Sequence, residues 1–164
     1  MEINLVDMDL ALLYYKMTKS TEFKINQSTV QDVFMHLQSA DSDFTPPLSQ
    51  HIDLKKYSQK IVSHAHRFEA WIDERLIGLI AIYDGDPAYI TNVSVLTDWQ
   101  KSGIGSRLLH ECIDFLKQKE ILAVDLEVSK SNSSAISLYE KNLFHEKSST
   151  ERTMIMRLNI GENQ

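Results

Sequence analysis

The apolar positions of this chain change rhythm near Phe44. Before it they recur at helical spacing; after it, alternating and short continuous apolar runs dominate. Residues 6–16 are rich in Leu, Met and Tyr and hold neither Gly nor Pro, which predicts a helix. Ser28 is placed to cap a second helix, in which Val30, Val33, Phe34 and Leu37 follow the i, i+3, i+4, i+7 pattern. Phe44-Thr45-Pro46-Pro47 must extend or turn, because each proline restricts its predecessor. Asp53 is placed to cap a third helix, with Leu54, Tyr57, Ile61 and Val62 as one apolar stripe.

Strands are predicted next. Residues 67–72 alternate, with Phe68, Ala70 and Ile72 on one face. Asp73-Glu74-Arg75 is a turn, residues 76–83 a strand, Asp84-Gly85-Asp86-Pro87 a strong turn signal and residues 88–96 a third strand. These three predict an antiparallel meander. A glycine-containing loop follows, then a helix that packs Ile104, Leu108, Cys112, Ile113 and Leu116 inward. Residues 121–128 predict a strand, and 132–141 a short helix capped by Ser131 or Asn132. Residues 144–147 and 153–158 close as an antiparallel pair. Residues 1–5 show no strand pattern, and Glu22 and Lys24 read as solvated surface. The order predicts an α/β protein with a mixed sheet rather than a regular doubly wound one.

At 164 residues the chain is expected to form one domain over residues 1–160, helical in 1–65 and sheet-rich in 67–158. No apolar run approaches the roughly 18 residues that span a membrane. Met1-Glu2-Ile3-Asn4 lacks the basic-then-apolar pattern of a secretory leader. The lone Cys112 cannot close an internal disulfide, and it falls on an apolar helix stripe. Together these predict a cytoplasmic protein with no membrane partner. A formal net charge of −6 argues against nucleic acid as partner while leaving room for a small anion at a local site. His64 and His66 have no third ligand at metal spacing and read as a helix end with two exposed imidazoles, so no metal is expected. A serine-hydrolase elbow is absent. Monomer and homodimer both stay open.

The loop Gln100-Lys101-Ser102-Gly103-Ile104-Gly105 carries the chemistry. It joins a strand to a helix, and glycines there let N–H groups and the helix dipole meet an anion. A Walker loop is absent, and the third glycine of a dinucleotide fingerprint is replaced by Leu108. Residues 93–109, with Gln100, Gly103 and Gly105 on the pattern Arg/Gln-x-x-Gly-x-Gly/Ala, resemble the acetyl-CoA motif of the GNAT N-acyltransferase superfamily. A second block is similar to the same family's strand-to-helix segment: Leu126-Glu127-Val128, Asn132, Ala135, Leu138-Tyr139-Glu140-Lys141 and Phe144. The resemblance covers residues 67–158. Thr97, Gln100 and Leu143 stand where the family often has Pro, Arg and Gly. At Leu143 a left-handed turn without glycine would cost about 1 kcal/mol.

The resemblance implies a mostly antiparallel central sheet flanked by helices, acetyl-CoA as acyl donor, and direct attack by a primary amine in a ternary complex. It implies a pyrophosphate held by N–H donors from Gln100, Lys101, Ser102, Gly103, Ile104, Gly105 and Ser106. Pantetheine would run along the main chain of Val93, Ser94 and Val95, with Asn132 both capping its helix and touching that arm. Lys101 and Arg107 either add charge nearby or are solvated surface. Glu127 matches a glutamate that serves as general base in ribosomal-protein alanine acetyltransferases. Its plain alternative is a solvent-facing strand residue, and Asp84, Asp86 and His145 are other possible bases. Tyr139 occupies the family position that protonates the departing thiolate; its plain alternative is packing on the sheet. The motifs do not reach the regions expected to shape the acceptor site, residues 6–65 and 148–152. A protein N-terminus, a polyamine, an amino sugar and an amino acid all remain as acceptors. A non-catalytic acyl-CoA-binding module for sensing or scaffolding is the alternative function, and transfer to a hydroxyl is a third.

Overall fold

In the computed structural model, which describes residues 5–161, helix α1 (Leu5–Thr18) leads into a short strand, β1 (Glu22–Ile25). Helices α2 (Val30–Ala40) and α3 (Leu54–His64) follow, then the strands β2 (His66–Ile72), β3 (Arg75–Tyr83) and β4 (Ala88–Val95). Helix α4 (Ile104–Gln118), β5 (Ala123–Ser129), α5 (Ser133–Lys141), β6 (His145–Ser149) and β7 (Thr153–Asn159) complete the order. The seven strands form one sheet in the order β1-β2-β3-β4-β5-β7-β6. Every neighbouring pair is antiparallel except β4 and β5. The meander of β2, β3 and β4 and the closing pair of β6 and β7 are as expected. Residues 1–5, which show no strand pattern, lie outside the described residues except for Leu5, which begins α1.

Two local expectations need correction. Glu22 and Lys24 belong to β1, which pairs with β2 from Glu22↔Trp71 to Ile25↔Phe68. The charges occupy an edge strand, where exposure of one side is tolerated. The cap of α2 is Thr29 rather than Ser28. Thr29 accepts from the Asp32 N–H, and Asp32 answers the Thr29 N–H at 2.8 Å, a reciprocal capping box. Ser28 is instead buried and donates its hydroxyl to Glu69 of β2 at 2.5 Å.

The sheet is covered on both faces. Phe68, Ile80, Leu126 and Met156 look toward α4 and α5, with Leu108, Leu109, Cys112 and Leu116 supplied by α4. Trp71, Leu79 and Ala81 look the other way, toward Val33 and Leu37 of α2 and Ile61 of α3. Ile113 of α4 is only partly buried against the first cluster. Burial pushes the Cys112 thiol up to about 12, so it stays protonated and packs as an apolar group. His66, expected at an exposed helix end, starts β2 half-buried. It meets Asp84 at 3.0 Å and stacks on Phe115 with centroids 4.7 Å apart. No helix among the described residues is long and apolar enough to cross a membrane.

The feature that positions the site is a gap in the sheet. β4 and β5 pair only at Ala88↔Val124, Tyr89↔Asp125 and Ile90↔Leu126. Immediately beyond, β4 carries one extra residue: Ile82 faces Ile90 but Ala81 faces Asn92, which leaves Thr91 as a bulge. From there β4 stays with β3 and β5 stays with β7, so the two central strands part.

Candidate active site

Helix α4 opens without a side-chain cap. Its N-cap is Gly103, at φ +85°, and the first helical bond is Arg107 N–H to Gly103 O at 3.0 Å. The N–H groups of Ile104, Gly105 and Ser106 are therefore free, at the positive end of a 15-residue helix. The preceding loop is held in place from within. Lys101 takes φ +60°, Ser102 donates its hydroxyl to the Trp99 carbonyl, and Gln100 Nε2 donates to Val95 O at 2.9 Å and to Asp43 at 3.2 Å. The two motif glycines differ in purpose. A Cβ on Gly103 would meet nothing within 4 Å, but the residue sits in the left-handed region, so its backbone conformation favours glycine. At Gly105 a Cβ would meet Leu138 at 3.6 Å and Val95 at 3.9 Å, ordinary contacts, so the protein itself does not need glycine there.

The β4 edge supplies a second set of main-chain groups. Leu96 N–H donates to Ile77 O at 2.8 Å. By antiparallel alternation Ser94 and Asn92 also direct their main-chain groups to β3, while Val93 and Val95 direct theirs into the gap. Gln100 takes the Val95 carbonyl, which leaves both groups of Val93 and the N–H of Val95 for a ligand. The Ser94 side chain points to the α2 face and joins a buried chain. His36 Nε2 lies 2.8 Å from Ser94 Oγ, Ser94 Oγ lies 2.8 Å from the Asn92 amide, and His36 Nδ1 lies 3.0 Å from Leu76 O. Burial lowers His36 to about 4, so the ring is neutral and its single proton sits on Nδ1, facing the carbonyl.

Two cavities meet at the gap. One, of about 610 Å³, runs from the α4 N-terminus along Val93 and Val95 to Asn132 and Leu138. Asn132 caps α5, accepting from Ala135 N–H at 3.2 Å. The other cavity, of about 390 Å³, is lined by Glu127, Tyr139, Tyr89 and Thr91 and is walled by Phe44, Pro46 and Leu48. Phe44, Val93, Asn132, Ala135 and Leu138 border both. Glu127 is the first β5 residue past the last pair with β4; it is exposed and makes no hydrogen bond to the described residues. Tyr139 is buried, with its ring 5.8 Å from Phe144 and no protein partner for its hydroxyl among the described residues. Burial raises the phenol well above its ordinary value and keeps the proton on it.

The other candidates lie elsewhere. Asp84 pairs with His66, Asp86 accepts from Leu122 N–H at 3.2 Å, and His145 stands on the exposed edge strand β6. Arg107 is committed to Glu111 at 2.9 Å and lies over the Phe23 ring at 4.4 Å. Leu143 does take the left-handed conformation, at φ +71°, in the turn after α5.

A profile of the Acetyltransferase (GNAT) family matches residues 32–143, more than half of the chain. This chain belongs to the GNAT family. Among relatives, the [ribosomal protein bS18]-alanine N-acetyltransferase of Escherichia coli (strain K12) is 41% identical over 61 residues. That stretch is 37% of this GNAT chain and 41% of the relative, so the chain spans about two fifths of the length of the relative it matches. The crystal structure of the Escherichia coli ribosomal-protein-S18-alanine N-acetyltransferase superimposes with TM-score 0.73 at 25% identity, covering 88% of this chain and 99% of that one. PaiA N-acetyltransferase from Thermoplasma acidophilum, solved in complex with coenzyme A, shares the fold with TM-score 0.66 at 20% identity, covering 84% of this chain and 99% of that one.

Several lining residues of this GNAT chain escape sequence reasoning. Tyr89 and Thr91 lie inside a strand that gives no hint of its bulge, and His51 comes from the segment between α2 and α3. Asp43 is the other omission. It accepts from Thr97 Oγ1 at 3.1 Å and from Gln100, linking that segment to the motif loop across more than 50 residues of sequence.

Proposed function

We propose that this GNAT chain is an N-acetyltransferase that moves an acetyl group from acetyl-CoA to a primary amine by direct attack in a ternary complex. The parting of β4 and β5 carries this reading, because it joins a cavity rich in free main-chain donors to one lined by a free carboxylate and a protonated phenol. The uncapped N-terminus of α4 fits a diphosphate, and the unpaired edge at Val93 fits an amide-bearing arm. Acetyl-CoA, when bound, supplies the activated thioester.

The chain's own residues do the rest. The N–H groups of Ile104, Gly105 and Ser106 hold the pyrophosphate, and Val93 fixes the pantetheine in the gap. Glu127 takes the proton from the acceptor ammonium, directly or through one water. Tyr139, whose burial keeps its proton in place, gives a hydrogen bond to the departing sulfur. A cytoplasmic setting suits the single buried thiol.

Acetyl-CoA consumption with a panel of amines, read by release of free thiol, tests this reading. Tyr139→Phe should lower kcat about tenfold while leaving CoA affinity and stability close to wild type, since the hydroxyl has no protein partner among the described residues. Tight CoA binding with no thiol release from any amine would replace the enzyme by an acyl-CoA-binding module.

A further inference from the structure

We propose that the acceptor is a cationic amine whose immediate neighbours carry no negative charge. A peptide N-terminus, an alkylamine or a polyamine fits that description; a free α-amino acid or a phosphorylated amine does not. This rests on the transfer reading and on the placement of Glu127 in the acceptor cavity.

The 390 Å³ cavity contains one carboxylate, Glu127, which has no hydrogen-bond partner among the described residues. No Lys or Arg is among the described residues that line it, and exposed His51 is the one described lining group able to carry a positive charge. Two cations further along the sheet are paired elsewhere. Arg157 holds Asp125 through Nε at 2.7 Å and through its terminal nitrogen at 2.8 Å, and Lys147 joins at 3.3 Å. These contacts hold the Asp125 carboxyl below its ordinary range, so the three groups form a closed unit. The remaining wall is apolar or neutral: Phe44, Pro46, Leu48 and Tyr89.

The chemistry follows from distance. An α-carboxylate lies only two bonds from the amine it accompanies. An amine close enough to Glu127 to lose its proton brings that second carboxylate beside the first, with no Lys or Arg among the described lining residues to meet it. An amide or an alkyl group in the same place meets the neutral wall without that repulsion.

The experiment is equilibrium binding to the CoA-saturated protein, by calorimetry, of matched pairs: phenylalanine amide against phenylalanine, tyramine against tyrosine, and a tripeptide amide with a free N-terminus as the peptide arm. The neutral-flanked member of each pair should bind about tenfold or more tightly than its acid. Leu48→Arg, which places a cation on the wall, should narrow that ratio. Equal affinities within the pairs, or no binding by the amides and amines, would overturn the proposal. Thiol release is measured in parallel. A binding preference for the neutral-flanked members with no turnover leaves the acceptor class standing and removes the transfer reading; turnover of acids and amides alike does the opposite.

Discussion

Glu69 of β2 and Glu127 of β5 are both strand glutamates, and the chain surrounds them in opposite ways. Glu69 is completely buried. It accepts from the main-chain N–H of Gln27 at 3.1 Å and Ser28 at 3.0 Å, from the Ser28 hydroxyl, and from the Trp71 indole at 3.0 Å. Arg67 lies at 3.3 Å and directs its other nitrogens to the carbonyls of Val62, Ala65 and Ser28. Glu127 has none of this and faces an open cavity. A carboxylate saturated with donors fixes where the chain goes, here tying the segment before α2 to the sheet. A carboxylate left bare at a break in the sheet is free to exchange a proton.

Swapping the two kinds of damage tests that contrast. Glu127→Gln should reduce kcat/KM for the best amine by about 10²- to 10⁴-fold. Its unfolding free energy should stay within about 0.5 kcal/mol of wild type in urea titration. A large loss of stability would make Glu127 a structural residue and erase the distinction. Glu69→Ala should do the reverse: about 3–5 kcal/mol of stability is lost because Arg67 stays buried without its partner, while the folded fraction at low temperature keeps its CoA affinity.

His36 belongs with Glu69, as a buried group whose hydrogen bonds stay within the fold. Its ordinary value is 6.5 and its folded value about 4. Below pH 6.5 the unfolded chain takes a proton that the folded chain refuses, so stability declines as pH falls from 6.5 to about 4, by roughly 3 kcal/mol in all. Urea titrations across that window should show the slope, and His36→Gln should remove this part of it. Gly105 is neutral on both counts. Gly105→Ala should leave the unfolding midpoint and CoA affinity close to wild type, because the methyl makes only ordinary contacts and the motif accepts alanine at this position. Gly103→Ala should cost about 1–2 kcal/mol of folding stability at φ +85°.

What can be read from sequence follows how local each signal is. The strand, glycine loop and helix around Gly103 are set by residues adjacent in the chain, and so are the Asp53 and Asn132 caps. β1 is invisible there because four residues with two charges become a strand only when β2 offers a ladder more than 40 residues away. Ser28 and Thr29 are both good capping residues. Asp32, three positions after Thr29, carries the deciding signal, and the Glu69 contact that occupies Ser28 is remote in sequence. The motif blocks point to Glu127 and Tyr139 individually. That both border one cavity depends on the Thr91 bulge and on where the Phe44–Leu48 segment lies, which no short window of sequence encodes.

The cavity beside the α4 N-terminus offers free N–H and C=O groups, which every residue type except proline carries in full. The adjoining cavity is lined by the side chains of Phe44, Leu48, Tyr89 and Glu127. Mutational drift therefore acts unevenly on the two. Most replacements along β4 or the first turn of α4 leave those main-chain groups in place, whereas replacements on the other cavity's wall change its shape and charge. On the transfer reading, a protein divided in this way would change its acceptor in a few steps without losing its donor.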